Sequence, residues 1–399
     1  MSKNEIQIGY CGNVHPGRTI DEVKKNLVEY SLEVKKLVRP DTSMGIGLWL
    51  SATAAKELDD NQTLLEFRDW LAENGLLPFT LNGFPYGDFH QTVVKHDVYR
   101  PTWADTERLD YTIRLAEILN VLLPEGIDGT ISTLPLGWPV EVNDGNRSNV
   151  NDELFWKSCA RNLIACAERL SDIQQNSGRN ITICIEPEPG CILDTWDDIV
   201  GFFDQHLFAI DEPTTEMVRN HIGVCHDVCH SAVMFEEQSK AVDEYARAGI
   251  KIGKVQVSSA VDVDFENDSA EAKTAKLEQL SSFAEPKYLH QTSVRNGESV
   301  EFYEDLQLAL DAAGKAPTGQ WRVHFHVPIF STSLDLIGTT QSDIVSCVEA
   351  IRESGKPTPH FEVETYAWNV LPASLRDDSL ANGIAKELEW FDEQVKTSP

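Results

Sequence analysis

Residues 181–190 read Ile-Thr-Ile-Cys-Ile-Glu-Pro-Glu-Pro-Gly, five residues typical of a buried strand followed by two glutamates that each precede a proline. Apolar runs of this kind recur along the chain and alternate with longer amphipathic stretches. Continuous apolar strands that alternate with helices indicate a parallel sheet covered on both faces. Nine runs are candidate strands: Ile6–Cys11, Gly45–Leu50, Pro78–Leu81, Gly129–Leu134, Ile181–Ile185, Ile222–Cys225, Gly253–Val257, Arg322–Phe325 and Phe361–Glu364.

The amphipathic stretches between these runs predict the helices. They are Ile20–Val38, Asp105–Leu123, Glu153–Gln175, Ser231–Ala248, Ala270–Phe283, Val300–Ala313, Ser342–Glu353 and a final helix over Ala373–Val395. Eight or nine strand–helix units in 399 residues fit a (β/α)8 TIM barrel better than an open sheet. A Rossmann fold predicts a GxGxxG turn after the first strand, and residues 9–17 do not contain one. We therefore predict one α/β barrel domain over residues 1–399, with the polar stretch 262–320 as an insertion before the last strand.

Charge and composition exclude several classes of partner. With 34 basic and 64 acidic residues the formal net charge is −30, and no Lys/Arg-rich run offsets it, so we expect neither a nucleic-acid nor an anionic-membrane partner. No stretch approaches the roughly 20 apolar residues of a membrane helix, and the first ten residues hold no apolar run typical of a signal peptide. The eight cysteines form no paired CxxC pattern, which predicts reduced, buried thiols in a cytoplasmic protein.

Ionisable residues stand at the ends of the later predicted strands. In a barrel these ends and the loops after them form the active face. Charged groups beside an apolar core are costly unless they are paired or bind a metal. Several such groups converging at one barrel mouth therefore predict a divalent-metal site. The residues that carry this prediction are Glu186, Asp227, His230, His324, His326, Glu362 and Glu364.

Each of these residues also has a structural interpretation. Asp227 is equally a candidate helix N-cap, and His230 a histidine satisfied inside the core. Cys225 and Cys229 are better explained by packing than as soft ligands. His324 and His326, two positions apart, share one side of a strand and are ligands only if that side faces the barrel lumen. Glu364 lies nearer the active face than Glu362.

Weaker candidates lie in the loops after the earlier strands. His15 precedes a proline in a turn, and Asn82 begins an Asn-Gly turn signature. The stretch that follows is rich in aromatic residues, so Tyr86, Phe84 and Phe89 are candidates either for the wall of a substrate pocket or for packing over the barrel rim. His90, at the end of this stretch, is a further substrate-binding candidate. Glu188, two residues after Glu186, is a further candidate for binding a substrate.

The acidic and histidine motifs together resemble the metal ligands of the xylose-isomerase-like TIM barrels. The matching positions are Glu186-Pro, Asp227-x-x-His230 and Glu364, and the His324-Phe-His326 segment is similar to the Asp-x-His segment of endonuclease IV, with His324 in place of the aspartate. Gln256 falls where that superfamily often has a histidine on strand seven. The resemblance implies a metal centre of these residues.

A longer and collinear set of motifs resembles the EboE family of metabolite traffic proteins. It includes Tyr-Cys-Gly-Asn-Val-His-Pro-Gly at residues 10–17, Phe-Thr-Leu-Asn-Gly-Phe-Pro-Tyr-Gly-Asp-Phe-His at 79–90 and His-Phe-Glu-Val-Glu-Thr-Tyr-Ala-Trp-Asn-Val-Leu-Pro at 360–372. That family is linked to a gene cluster for the export of secondary-metabolite precursors and has a sugar-isomerase-like barrel. The resemblance implies a small-molecule metabolite as ligand and other proteins of the cluster as partners.

Two functions follow from these observations. The first is an isomerase- or epimerase-like enzyme that uses Zn, Mn or Fe on a sugar, polyol or related metabolite, with Glu186 and Glu364 as proton acceptor and donor. The second is a metabolite-binding or trafficking protein that keeps the barrel site without turnover. A DNA-repair nuclease needs a basic groove, and the net charge argues against one.

Overall fold

A computed structural model describes residues 6–87, 94–139, 141–142, 146–147, 152–365, 368, 371 and 379–397. Eight parallel strands close into a barrel in sequential order, each hydrogen-bonded to the next and the last to the first. The predicted (β/α)8 TIM-barrel fold is therefore confirmed. The barrel strands are β1 (Ile8–Cys11), β2 (Met44–Trp49), β3 (Leu76–Asn82), β4 (Gly129–Thr133), β5 (Ile181–Ile185), β6 (Ile222–Asp227), β7 (Ile252–Val257) and β8 (His360–Val363).

Helices lie between the strands, as the amphipathic pattern predicts. The predicted helix over Ile20–Val38 is continuous, because a π-helical turn at Leu27–Ser31 joins its two α-helical halves. Four helices were not predicted: Ala52–Glu57, Asn61–Glu73, Trp196–Phe202 and Glu212–His221. The others are Thr106–Leu122, Glu153–Ser177, Val228–Val233, Gln238–Ala248, Ala270–Ser281, Leu306–Ala313, Gln341–Glu353 and Leu380–Thr397.

Two predicted helices are wrong in part. The single helix expected over Ser231–Ala248 is two helices, Val228–Val233 and Gln238–Ala248. The helix expected from Val300 begins only at Leu306, because residues 299–303 pair instead with the strand at 292–296. An Asn-Gly pair at 296–297 with φ +61° at the glycine turns the chain between these two strands, which is a strong hairpin signal. The first residues expected in the final helix, up to 378, lie largely outside the described residues.

The segment between β7 and β8 builds a second, antiparallel sheet, here called the insertion sheet. It runs past the expected boundary at residue 320 as far as Thr339. The surplus predicted strand, Arg322–Phe325, belongs to it as Gln320–Val323 rather than to the barrel. In spatial order its strands are Ser299–Tyr303, Thr292–Asn296, Gln320–Val323, Val261–Asp264, Ile337–Thr339 and Ser333–Leu334.

The barrel interior carries an ion pair among its apolar layers. Lys254 on β7 and Glu362 on β8 are both fully buried, and Lys254 Nζ lies 2.5 Å from Glu362 Oε2. Lys254 Nζ also donates to Ser132 Oγ on β4 at 3.2 Å. Gly47 on β2 makes room for this pair, because a Cβ there would lie 1.2 Å from Glu362 Oε1. The pair is built into the closed sheet.

Two further expectations concern the chain as a whole. All eight cysteines are unpaired and buried, as the lack of a paired pattern predicts. In the part of the chain that the structure describes, no helix is both long and apolar enough to cross a membrane.

Candidate metal centre

Three buried carboxylates meet at the carboxyl-terminal end of the barrel. Glu186 follows β5, Asp227 ends β6 and Glu364 follows β8. The Glu186 N–H donates to Thr133 O at 2.9 Å, which continues the strand pairing past the end of β5. The Glu364 N–H likewise donates to Val257 O at 3.1 Å. As a result, one oxygen of each carboxylate lies within 4.8 Å of an oxygen of the other two.

Among the described residues, no lysine or arginine forms an ion pair with these three carboxylates. Burial, followed by the repulsion of Asp227, raises the pKa of Glu364 to about 8. Burial and the repulsion of Glu364 and Asp227 also raise the pKa of Glu186 well above its usual value. Among the described residues, neither Glu186 Oε2 nor Asp227 Oδ2 has a hydrogen-bond partner. Buried oxygens of this kind are costly unless a cation or a ligand satisfies them.

Two histidines point ring nitrogens at the carboxylates. His230 Nδ1 lies 2.8 Å from Pro187 O, and His326 Nδ1 lies 2.9 Å from Glu364 O. A carbonyl oxygen only accepts hydrogen bonds, so Nδ1 carries the hydrogen in both rings and a neutral ring has its lone pair on Nε2. Burial lowers the pKa of His326 to about 4, which keeps that ring neutral. The two Nε2 atoms lie 3.8 and 4.0 Å from Asp227 Oδ2.

A third histidine is oriented by the insertion. Gln291 donates its amide N–H groups to Tyr99 Oη (3.2 Å) and Glu188 Oε1 (3.0 Å), so its Oε1 faces His324 Nδ1 at 2.8 Å and accepts its hydrogen. His324 Nε2 then lies 3.2 Å from His230 Nε2, and in two neutral rings with the hydrogen on Nδ1 both of these atoms carry lone pairs. Two lone pairs at that separation repel each other unless a proton or a cation lies between them.

The donor atoms therefore fit a divalent cation. Neutral imidazole nitrogens and carboxylate oxygens are ligands of Zn, Mn and Fe. Burial, followed by the repulsion of Asp227, raises the pKa of the Cys229 thiol well above its usual value, so it stays protonated and is a poor ligand. Four overlapping groups have the spacing of a metal site: Glu186 with Asp227 and Glu364, Asp227 with His230 and His326, Glu188 with His230 and His324, and Cys229 with His324 and His326.

Asp227 is the helix N-cap that its sequence context suggested, and it also lies among the candidate metal ligands. Its Oδ1 accepts the His230 N–H at 2.9 Å and caps the helix Val228–Val233. The same Oδ1 accepts the Ser258 hydroxyl at 2.7 Å. Its Oδ2 faces the histidine rings. One oxygen therefore holds the local fold and the other belongs to the candidate metal centre.

Gln256, at the position where a histidine was expected, lies in the barrel interior. It is fully buried on β7, in register with Asp227 on β6 and with Glu362 on β8. Neither its Oε1 nor its Nε2 has a hydrogen-bond partner among the described residues. An amide oxygen is a possible, weaker ligand than imidazole. Gln256 thus stays a candidate of the predicted set.

The structure shows where four of the five predicted substrate residues lie. Asn82 and Glu188 line the pocket above the carboxylates. His15 is not among the pocket's lining residues, and its ring stacks on Tyr30 with 4.5 Å between centroids. Tyr86 is likewise absent from that lining, and packs edge-on against Tyr111 at 5.1 Å. His90 lies outside the described residues.

The pocket is small, about 100 Å³, and open at one end. Its floor consists of the candidate ligands, and its walls come from the loops after β3 and from the insertion. The larger cavity of the described residues, about 710 Å³, lies at the opposite end of the barrel, beside His360 and Lys251. We assign the chemistry to the smaller pocket, because all four candidate metal groups lie at that end. The smaller pocket is lined by Asn13, Asn82, Phe84, Pro85, Val94, Lys95, Val98, Tyr99, Glu186, Glu188, His230, Tyr288, Leu289, His324, His326 and Glu364.

Sequence reasoning missed three polar residues of this site. Asn13 donates to Glu364 Oε1, and Tyr99 donates to Glu188 Oε1 at 2.8 Å. Gln291 is the third. Asn13 lies beside the first strand end and carries a signal of the same kind as the later strand ends. The other two meet the site only through loop and insertion folding, which periodicity does not reveal.

Comparison with known proteins supports the fold. No family model matches the chain, and no curated protein matches it. It is similar to a xylose isomerase-like TIM barrel protein from Mycobacterium smegmatis solved in complex with magnesium, with a TM-score of 0.53 and 12% identity over 100% of this chain and 99% of that chain. A D-psicose 3-epimerase solved with D-fructose (TM-score 0.49, 12% identity, 98% and 100% covered) is also similar. So is an IolI protein with a zinc atom (TM-score 0.45, 12% identity, 98% of each chain). The first of these similarities supports the TIM-barrel fold.

Proposed function

We propose that the protein is a metal-dependent enzyme of the isomerase or epimerase type, acting on a sugar, polyol or related small metabolite. The observation that supports it is the convergence of Glu186, Asp227 and Glu364 within 4.8 Å, with the lone pairs of His230 and His326 beside them. Gln256 and His324 complete the candidate ligand set. Zn, Mn or Fe would fit these donors.

The chain's own residues supply proton transfer. A bound divalent cation would polarise a substrate oxygen and acidify the neighbouring C–H. Glu186 and Glu364 are the proton acceptor and donor, because both are buried carboxylates that line the pocket where a substrate would bind. Asn13 fixes the Glu364 carboxylate by donating to its Oε1.

The wider setting is also a proposal. The collinear motifs at residues 10–17, 79–90 and 360–372 support membership of the EboE family, and with it a cytoplasmic role in metabolite traffic beside other proteins of that gene cluster. The acidic net charge of −30 supports a small-molecule ligand over nucleic acid.

A carrier without turnover is the second candidate. It is favoured by one observation, the buried amide of Gln256 at a position where the resemblance implies imidazole. An amide oxygen binds a divalent cation less tightly than imidazole, and weaker binding of the cation weakens the case for catalysis.

Metal content and proton exchange separate the two. Protein purified without added metal is analysed for Zn, Mn and Fe, and is then incubated in D2O with dihydroxyacetone, D-fructose and 2-hydroxyacetophenone. The enzyme incorporates deuterium next to the carbonyl of at least one of them, read by NMR. Asp227→Asn, which keeps an oxygen for the helix cap, loses metal and exchange, while Asp243→Asn on an exposed helix face loses neither.

The opposite outcomes are equally clear. Wild-type protein that takes up no Zn, Mn or Fe at micromolar free metal contradicts the enzyme. Full metal occupancy without exchange in any of these ligands favours the carrier.

A further inference from the structure

The pocket above the candidate metal centre has two chemically different ends. Its floor is polar, made of carboxylates and imidazoles. Its upper wall is apolar and comes from two separate stretches of the chain. The loop after β3 supplies Phe84, Pro85, Val94 and Val98, and the insertion supplies Tyr288 and Leu289.

The apolar wall is part of the packed interior. Phe84, Val94 and Leu289 are 8%, 7% and 6% exposed. Val94 and Tyr288 pack in one cluster with Trp49, against which Val98 also lies. These side chains therefore hold the wall in place, and a ligand in the pocket meets their carbon atoms.

Three polar side chains among the described residues of the wall, Asn82, Tyr99 and Lys95, already have partners inside the protein. Asn82 Oδ1 accepts the Phe84 N–H at 3.1 Å. Tyr99 Oη donates to Glu188 at 2.8 Å, and Lys95 Nζ forms an ion pair with Asp305 at 2.8 Å. A ligand hydroxyl placed against this wall would give up its hydrogen bonds to water and gain few in return.

A fully hydroxylated chain is a poor match to this arrangement. A sugar or polyol of five or six carbons carries a hydroxyl on nearly every carbon, and the floor can satisfy only those at one end. Hydroxyls at the other end would face Val98, Leu289 and Pro85. An apolar group at the same place would leave water and gain contacts with these side chains.

We propose that the ligand of this pocket has two neighbouring oxygen atoms at one end and an apolar body at the other, the class of aryl- or alkyl-substituted vicinal diols and α-hydroxy ketones. The oxygens bind at the floor and the apolar body lies between the loop after β3 and the insertion. This inference rests on the proposed function, which assigns the floor the role of binding oxygen atoms. The apolar wall adds the class of substrate to that function.

Binding of three diols to the Mn²⁺-loaded protein tests the inference. The probes are 1-phenylethane-1,2-diol, propane-1,2-diol and D-glucitol, and the readouts are calorimetric affinity and the Mn²⁺-induced relaxation of ligand protons. We expect the phenyl diol to bind about tenfold more tightly than either of the others, the scale on which apolar pockets discriminate. D-glucitol binding as tightly as the phenyl diol would overturn the proposal.

Wall variants locate the effect. Leu289→Asn, in the insertion, and Val98→Asn, in the loop after β3, each weaken the phenyl diol about tenfold and leave Mn²⁺ and propane-1,2-diol binding unchanged. Leu336→Asn, at a residue of the insertion that is 49% exposed, changes none of the three and is the matched control. Two wall variants are used so that the test still holds if one of them fails to fold. Unchanged phenyl diol affinity in both folded wall variants would overturn the proposal.

Failure of the proposed function gives a different result. If the protein takes up no Mn²⁺ by direct titration, the metal-dependent function fails, and the same diols are compared in the metal-free protein. The phenyl diol must still bind more tightly than D-glucitol there, because the wall is independent of the metal. Equal affinities would overturn the inference about the wall as well.

Discussion

Buried carboxylates occur at two levels of the barrel, and their negative charge is compensated differently at each level. In the interior, Glu362 lies 2.5 Å from Lys254 and both are fully buried. Two residues further along the same stretch of chain, Glu364 lies with Glu186 and Asp227. Among the described residues, no lysine or arginine side chain forms an ion pair with these three carboxylates. Glu362 and Glu364 are thus two positions apart and have different partners.

We infer that this difference distinguishes a charge balanced within the fold from one that an external cation can balance. A buried carboxylate that belongs to the fold brings its own cation, as Glu362 does with Lys254. A group of carboxylates without one stores unfavourable electrostatic energy, which an external cation can relieve. Such sites are where perturbed pKa values and function coincide. The four predictions below test this division, from the largest expected effect to the smallest.

Removing one member of the interior pair Lys254–Glu362 should lower the stability far more than removing both. Lys254→Met leaves Glu362 buried without its cation and should lower the free energy of unfolding by about 3–5 kcal/mol, measured by urea denaturation. The double variant Lys254→Met/Glu362→Met should recover most of the loss, because no charge is then left behind. A single variant that loses less than about 1 kcal/mol would contradict a structural role for the pair.

Metal binding should instead stabilise the protein through the group of Glu186, Asp227 and Glu364. At a free Mn²⁺ concentration of a hundred times its Kd, wild-type protein should gain about 2.7 kcal/mol in the free energy of unfolding. Glu186→Gln should abolish this gain and leave the metal-free protein at least as stable, because one of three mutually repelling carboxylates is gone. Glu168→Gln on an exposed helix face should keep the full gain. A Glu186→Gln protein that is still stabilised by Mn²⁺ would remove Glu186 from the ligand set.

The insertion should tune the metal centre through one amide. Gln291→Met removes the acceptor that holds the hydrogen of His324 on Nδ1, and we expect metal affinity to fall about 10–100-fold. Chelator competition measures the affinity. The ¹⁵N shifts of His324 report the tautomer directly, and a purely structural role would not move them. Gln307→Met, at an exposed position of the same insertion, should change neither.

The smallest effect concerns a carboxyl outside both groups. Glu387 on the final helix is buried and accepts hydrogen bonds from Thr365, Trp368 and Ile329, and burial raises its pKa to about 7. The folded state therefore holds a proton that the unfolded state releases above a pH of about 4.3. Its contribution to stability is complete below that pH and is lost as the pH rises through 7.

The measurement compares two stability profiles between pH 5 and 7. Wild-type stability should fall relative to that of Glu387→Gln by about 1 kcal/mol per pH unit. Glu216→Gln, exposed on its helix, should reproduce the wild-type slope. Parallel profiles for wild type and Glu387→Gln would show that this carboxyl titrates alike in both states.

The sequence is most informative where a charged residue ends the apolar pattern of a strand. Glu186, Asp227 and Glu364 stand out because each ends a continuous apolar run, and a parallel barrel brings such ends together. The eight barrel strands follow from the same pattern, with bounds that differ by a few residues. Local periodicity and the geometry of a closed barrel are sufficient for these features.

The rest depends on contacts that local patterns do not encode. Gln291 and Glu188 are 103 positions apart in sequence and meet through the insertion sheet, whose own hairpin was expected to be helical. His15 looks like a site residue from its turn, yet its ring packs on Tyr30. The insertion's path over the barrel decides the contact of Gln291, and the position of the helix after β1 decides that of His15. Periodicity describes neither.

The division of labour within Asp227 has an evolutionary consequence. Because Oδ1 caps a helix and Oδ2 faces the metal centre, an asparagine at 227 keeps the cap and discards the charge. Aspartate and asparagine codons differ by a single nucleotide. One mutational step that spares the fold can therefore remove, or restore, the charge that faces the candidate metal centre.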